Sequence, residues 1–205
     1  MKQQWLQRSG TDDLLLIFGG WGIGIEPFVG VNGPRDVLFV DDYRELDTIS
    51  ALNDYAHVSL LAWSFGVASA THWITQTGAK PDYLVAVNGT FWPADATRGI
   101  APDVVEATAS GLNTTNFTKF CRRAGYRGEI PRLNHDTARD ELRAIVKRGP
   151  APEIAFDRIW ISERDRIIPP TAQKAAWSSQ NHAIRHINTT HTPFATGLTW
   201  QRWLT

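Results

Sequence analysis

The sequence predicts an α/β fold with a mainly parallel sheet, and three observations carry that prediction. Apolar runs of strand length recur at residues 14–18, 36–40, 58–63, 83–87 and 156–161, and continuous runs of this kind belong to strands covered on both faces. Helical stretches alternate with most of them, as in a sheet built from crossover connections. One junction is abrupt: the run ending Ala62-Trp63 meets Ser64-Phe65-Gly66 and passes directly into a helical pattern over 67–77.

Composition sets the outer limits. The chain has 205 residues, 42% of them hydrophobic, with nine Trp and nine Phe, enough for the core of one domain. Lys plus Arg and Asp plus Glu balance at 21 each, which argues against a nucleic-acid or membrane-surface partner. Cys121 is the only cysteine, so an intramolecular disulfide and a cysteine-based metal cluster are excluded. The start, Met1-Lys2-Gln3-Gln4-Trp5, lacks an apolar segment of signal-peptide type, and the stretch 14–25, broken by four glycines, is too short to span a bilayer. A cytoplasmic location is the expectation.

Taken in order, residues 3–8 form a short strand turned by Ser9-Gly10-Thr11-Asp12-Asp13 into the 14–18 strand. Gly19-Gly20-Trp21-Gly22-Ile23-Gly24 follows. Its spacing fits neither the dinucleotide nor the phosphate-loop fingerprint; a glycine loop after a strand also suits an oxyanion site, where backbone approaches a ligand closely. After the 36–40 strand a helix is expected over 46–55, then the serine junction, then the 83–87 strand ending at Asn88-Gly89-Thr90. From 91 to 150 strand signals vanish. Three helices are expected at 103–111, 114–124 and 137–148, with Asn113 and Asp136 as N-caps and Gly111, Gly125 and Gly149 as stops. This divides the chain into a core, 1–90 with 151–205, and an inserted helical lid, 91–150. The pattern resumes with the 156–161 strand, a turn at Ser162 to Pro170, a helix over 171–178 and a strand over 183–187. Thr192 with Pro193 reads as the cap of a closing helix to Leu204.

Ser64 is held between small residues, Ala62 and Gly66, in the small-x-Ser-x-Gly form of a nucleophile elbow, whose tight turn lifts the hydroxyl above the sheet. A capping serine is the bland alternative. A serine needs an imidazole to take its proton and a carboxylate to orient that imidazole. In α/β-hydrolases these follow in the order Ser, acid, His, each beyond a strand end. Ser64, Asp165 and His191 occupy that order and those places. Glu163 shares the acid's loop, but Asp165 opens an Asp-x-hydrophobic-hydrophobic-Pro run, and Asp157 and Asp140 read as surface charges. Among the other histidines, His57 lies at the wrong strand end, His72 in mid-helix, His135 in the lid, His182 before its strand and His186 within it. The oxyanion donors are read as the N–H of Phe65 and that of Trp21, whose indole would wall an acyl pocket. Asn134-His135-Asp136 is the best metal candidate and lacks a second histidine at ligand spacing.

Leu16-Ile17-Phe18-Gly19-Gly20-Trp21-Gly22, Asp41-Asp42-Tyr43-Arg44, Ala62-Trp63-Ser64-Phe65-Gly66-Val67, Asn88-Gly89-Thr90-Phe91-Trp92-Pro93, Gly99-Ile100 and Phe117-Thr118-Lys119-Phe120 together resemble the pimeloyl-[acyl-carrier protein] methyl ester esterases of the BioG type. The resemblance implies a compact cytoplasmic α/β-hydrolase of biotin synthesis that frees the pimeloyl carboxylate as methanol leaves. It implies Ser64 as nucleophile, Asp165 as acid, His191 as base, and no metal or organic cofactor. The basic residues of the lid, Arg122, Arg123, Arg127, Arg139, Arg143 and Lys147, would suit an acidic carrier protein, or simply be solvated helix faces. A general short-chain esterase or thioesterase, or a catalytically silent binding module on the same fold, are the rival expectations.

Overall fold

A computed structural model describes residues 1–205. Its seven strands are β1 (Lys2–Gln7), β2 (Asp13–Phe18), β3 (Asp36–Asp41), β4 (His57–Trp63), β5 (Tyr83–Val87), β6 (Arg158–Ser162) and β7 (Ile184–Ile187). They form one sheet in the order β1-β3-β2-β4-β5-β6-β7. Only the edge strand β1 runs antiparallel, on β3; all other pairs are parallel. The central strands are buried on both faces, so Leu14 to Phe18 and Leu60 to Trp63 are all fully covered, as their unbroken apolar runs require.

The helices are α1 (Phe65–Thr77), α2 (Pro102–Ser110), α3 (Thr114–Ala124), α4 (His135–Arg148), α5 (Pro170–Ala176) and a short α6 (Gln201–Leu204). α1 stops where Gly78 turns left-handed at φ 70°, a conformation that favours glycine. α2, α3 and α4 fill the connection between β5 and β6. The Ala151 N–H donates to the Phe91 carbonyl at 2.8 Å, so the two ends of that helical segment meet. α3 is strongly two-faced: Phe117, Cys121 and Ala124 are buried, and Arg122 and Arg123 stand outside. Burial pushes the Cys121 thiol up to about 11. No helix is long and apolar enough to cross a membrane.

Three expectations fail. Instead of a helix over 46–55 there is a 3-10 turn, Ser50–Asp54. Asp47, Thr48, Ser50, Asn53 and Asp54 crowd that stretch with side chains that compete for backbone hydrogen bonds. The closing helix is reduced to its last turn. Residues 192–200 run instead as a loop whose first three residues are buried, drawn down because Phe194 packs on Phe28, Trp63 and Trp203 with ring centroids 4.4, 5.6 and 5.0 Å away. α4 is capped two residues earlier than expected: Asn134, rather than Asp136, accepts from the N–H groups of Asp136 and Thr137, both at 3.1 Å.

Candidate active site

β4 delivers Ser64 at a conformation few side chains adopt, φ 59° and ψ −127°. Such backbone costs on the order of 1–3 kcal/mol and persists only where its surroundings enforce it. Here they do. The Ser64 N–H donates to Val87 O at 3.0 Å, tying the turn to β5. Gly66 lies so close to β2 that an added Cβ would strike the carbonyls of Phe18 and Gly19, and one on Gly89 would strike Ser64 O. The small residues of the motif are therefore demanded by three backbones meeting at one point.

His191 reaches this point from the loop after β7. Its Nε2 lies 2.9 Å from Ser64 Oγ and its Nδ1 lies 2.8 Å from Asp165 Oδ2. The carboxylate can only accept, so Nδ1 carries the proton and Nε2 is free to accept from the serine hydroxyl. All three side chains belong to buried residues: Ser64, Asp165 and His191 are 5%, 5% and 1% exposed.

Asp165 is fully engaged. Its Oδ1 accepts from the N–H groups of Ile167 (2.8 Å) and Ile168 (3.0 Å), which is what the turn before Pro169 provides. Its Oδ2, facing His191, also accepts from Gln173 Nε2 at 2.9 Å. Gln173 in turn donates to Ile168 O at 2.8 Å and is wholly buried on α5. The His191 carbonyl accepts from Trp63 Nε1 and Asn88 Nδ2, both at 2.9 Å. Asn88, another positive-φ residue at 47°, accepts from Ser162 N at 2.7 Å and donates to Ser162 Oγ at 2.8 Å. It thus fastens the ends of β5 and β6 to the loop carrying His191. Gln173 and the fastening role of Asn88 escape a reading of the sequence, because nothing in either neighbourhood signals a long-range partner.

The Phe65 N–H opens α1 and the Trp21 N–H lies in the glycine loop; neither donates a hydrogen bond within the chain. The Trp21 indole donates to Ala138 O on α4 at 2.8 Å and meets Phe120 of α3 edge-on at 5.3 Å. Next to Ser64 and His191 is a cavity of about 10 Å³, walled also by Trp21, Phe120 and Ile167, room for little more than a water molecule.

The other sequence candidates lie elsewhere. His57, His182 and His186 are exposed, and His72 on α1 points to Gly149 O at 3.2 Å. Burial lowers its pKa. His135 is the first residue of α4, and Asn134 and Asp136 are taken up by capping and by the Asp136–Arg139 pair at 2.7 Å. Glu163, Asp157 and Asp140 are exposed, and Asp157 accepts from Leu84 N at 2.8 Å. Of the basic residues, Arg122, Arg123, Arg127 and Lys147 are exposed. Arg139 also donates to Ala109 O at 3.1 Å, tying α4 to α2, and Arg143 pairs with Glu106 at 3.6 Å.

A crystal structure of BioG from Haemophilus influenzae superposes with a TM-score of 0.89 at 27% identity, covering 100% of each chain. A lipase-esterase related protein from Clostridium acetobutylicum shares the fold, with a TM-score of 0.65 at 11% identity over 93% of this chain and 92% of that one. A malonyl-[acyl-carrier protein] O-methyltransferase of Bacteroides fragilis is 31% identical over 87% of this chain, which spans 39% of that protein's length. The family model described as pimeloyl-ACP methyl esterase BioG matches residues 1–203. With the fold of the α/β-hydrolases, the chain belongs to the BioG family.

Proposed function

We propose that this chain is a serine carboxyl-ester hydrolase that cleaves the methyl ester of pimeloyl-[acyl-carrier protein]. The observation that carries the chemistry is the unbroken relay Ser64 Oγ, His191 and Asp165 at 2.9 and 2.8 Å. The family carries the substrate.

In this reading Ser64 Oγ attacks the ester carbonyl as its proton passes to His191 Nε2. Asp165 remains ionised and steadies the imidazolium. The negative charge that develops on the carbonyl oxygen is met by the N–H groups of Phe65 and Trp21, the first reinforced by the positive end of α1. His191 returns its proton to the leaving methoxide, methanol departs, and a pimeloyl-Ser64 ester remains. Water, deprotonated by His191, attacks that ester and releases the free carboxylate with Ser64 restored. Every step is proton transfer or acyl exchange among the chain's own groups, the ester and one water, with methanol as the leaving group. The helical segment 91–150 serves as the lid over this site, and Arg122 and Arg127, exposed and without ion partners, face the acidic carrier protein in the cytoplasm.

Ser64→Ala is expected to abolish hydrolysis of methyl pimeloyl-carrier protein while leaving the thermal unfolding profile in place. A fluorophosphonate probe should label the parent and not the variant. Equal turnover of carrier-bound and free methyl esters would remove the carrier from the proposal, and turnover surviving in Ser64→Ala would remove the mechanism.

A further inference from the structure

Three spaces lead outward from Ser64. Beyond the innermost lies a cavity of about 60 Å³ that shares Trp21, Phe65, Phe120 and Ile167 with it. Beyond that lies a cleft of about 370 Å³ that shares Trp21, Val104, Thr108, Phe120 and Arg123 with the second. Each long wall of the cleft is one helix face. On α2 and its C-cap it is Val104, Ala107, Thr108 and Gly111, and on α3 it is Asn116, Lys119, Phe120 and Arg123. Both sets follow the i, i+3, i+4, i+7 spacing that lines up side chains on a helix. The small residues of α2 leave the space between the two faces unfilled, and Val104 is 42% exposed.

Polarity changes along this path. The inner spaces are walled mainly by apolar side chains, with Arg123 and Arg166 among the lining of the second. The cleft adds Lys119, one helical turn from Arg123 on α3. The ion pairs of the helical segment join Arg98 to Asp95, Arg139 to Asp136 and Arg143 to Glu106, and neither Lys119 nor Arg123 belongs to one. A mainly apolar path that runs from a nucleophile past Arg166 to the uncompensated pair Lys119 and Arg123 selects a chain with an ester at one end and an anion toward the other.

We propose that the cleft between α2 and α3 is the channel for the extended substrate, and that Lys119 and Arg123 bind the phosphate of the carrier's phosphopantetheine arm. This rests on the esterase reading of Ser64, whose substrate ends in such a phosphodiester.

The test measures binding in the Ser64→Ala background, so that hydrolysis plays no part. The probes are the methyl pimeloyl thioesters of phosphopantetheine and of pantetheine, with free monomethyl pimelate as a third ligand. The phosphate is expected to tighten binding about tenfold, and the Lys119→Ala/Arg123→Ala double variant to erase that difference. Val104→Trp, which fills the cleft, is expected to weaken both thioesters. Equal affinity for the two thioesters, an equal loss of both in the double variant, or monomethyl pimelate binding as tightly as the phosphorylated thioester would each overturn the assignment. Hydrolysis of p-nitrophenyl acetate by the Ser64 protein, measured separately, reports the esterase reading without involving the channel.

Discussion

The Trp63 indole donates to the backbone carbonyl of His191 at 2.9 Å. The residue before the serine thereby holds the residue that faces its hydroxyl. Trp63 is fully buried and also packs against Phe28 and Phe194, so Trp63→Phe keeps most of the apolar contact and deletes the donor. The variant is expected to lose about 1–2 kcal/mol of stability in urea unfolding and about tenfold in kcat. Unchanged kcat would mean that Asn88 alone suffices to hold the loop.

Gln173 acts through Asp165 and is a positioning residue. Gln173→Met preserves length and apolar bulk while removing the bonds to Asp165 Oδ2 and to Ile168 O. The expected result is a fall in kcat of about tenfold with KM unchanged, since one charge-assisted hydrogen bond is lost and the substrate surface is not touched. A rise in KM with kcat intact would place Gln173 in substrate binding instead.

Glu141 is a carboxylate on α4 that is only 8% exposed; burial, with Asp41 and Asp42 nearby, pushes it up to about 7, and its Oε1 accepts from Tyr43 N at 3.0 Å. Its folded pKa lies above its unfolded value near 4.5, so the folded state binds more protons between these two values. Stability must fall as pH rises from about 4.5 to about 7 and stay reduced above it. Glu141→Gln keeps an acceptor for Tyr43 and removes the charge. It should gain up to about 3 kcal/mol at pH 8 and flatten the decline. Parallel stability–pH curves for parent and variant would contradict this account.

Gly66→Ala adds one methyl group against the carbonyls of Phe18 and Gly19. Backbone cannot yield as a flexible side chain does, so the cost is expected to be about 3 kcal/mol or more. Guanidinium unfolding would register it as an earlier midpoint. A midpoint matching the parent's would mean that β2 moves aside freely.

The strands were legible because parallel-sheet strands must be apolar on both faces, and residues 14–18 and 83–87 leave little else to read. The convergence of Ser64, Asp165 and His191 was legible for a related reason: each follows the carboxyl end of a parallel strand within a few residues, where the chain order of the motif applies. The loop after Thr192 misleads because Pro193 is a good helix starter, yet Phe194 gains more by entering the aromatic cluster around Phe28 than a local helix offers. The stretch 46–55 misleads in the same way, through an apolar spacing whose polar residues favour turns. Asn88 and Gln173 mark the limit. Their roles are made by partners 74 and 8 positions away, and an amide carries no trace in sequence of which carboxylate or carbonyl it will meet.

Cys121 gives the molecule a practical property. Its thiol is fully buried and pushed up to about 11, so near neutral pH fewer than about one molecule in a thousand holds it as the reactive thiolate. The unaltered chain is therefore already a quiet background for maleimide chemistry. One cysteine introduced at Thr108 and another at Asn116 would carry a pair of spectroscopic labels on opposite banks of the cleft, and the width of that cleft could be followed in real time as ester enters and acid leaves.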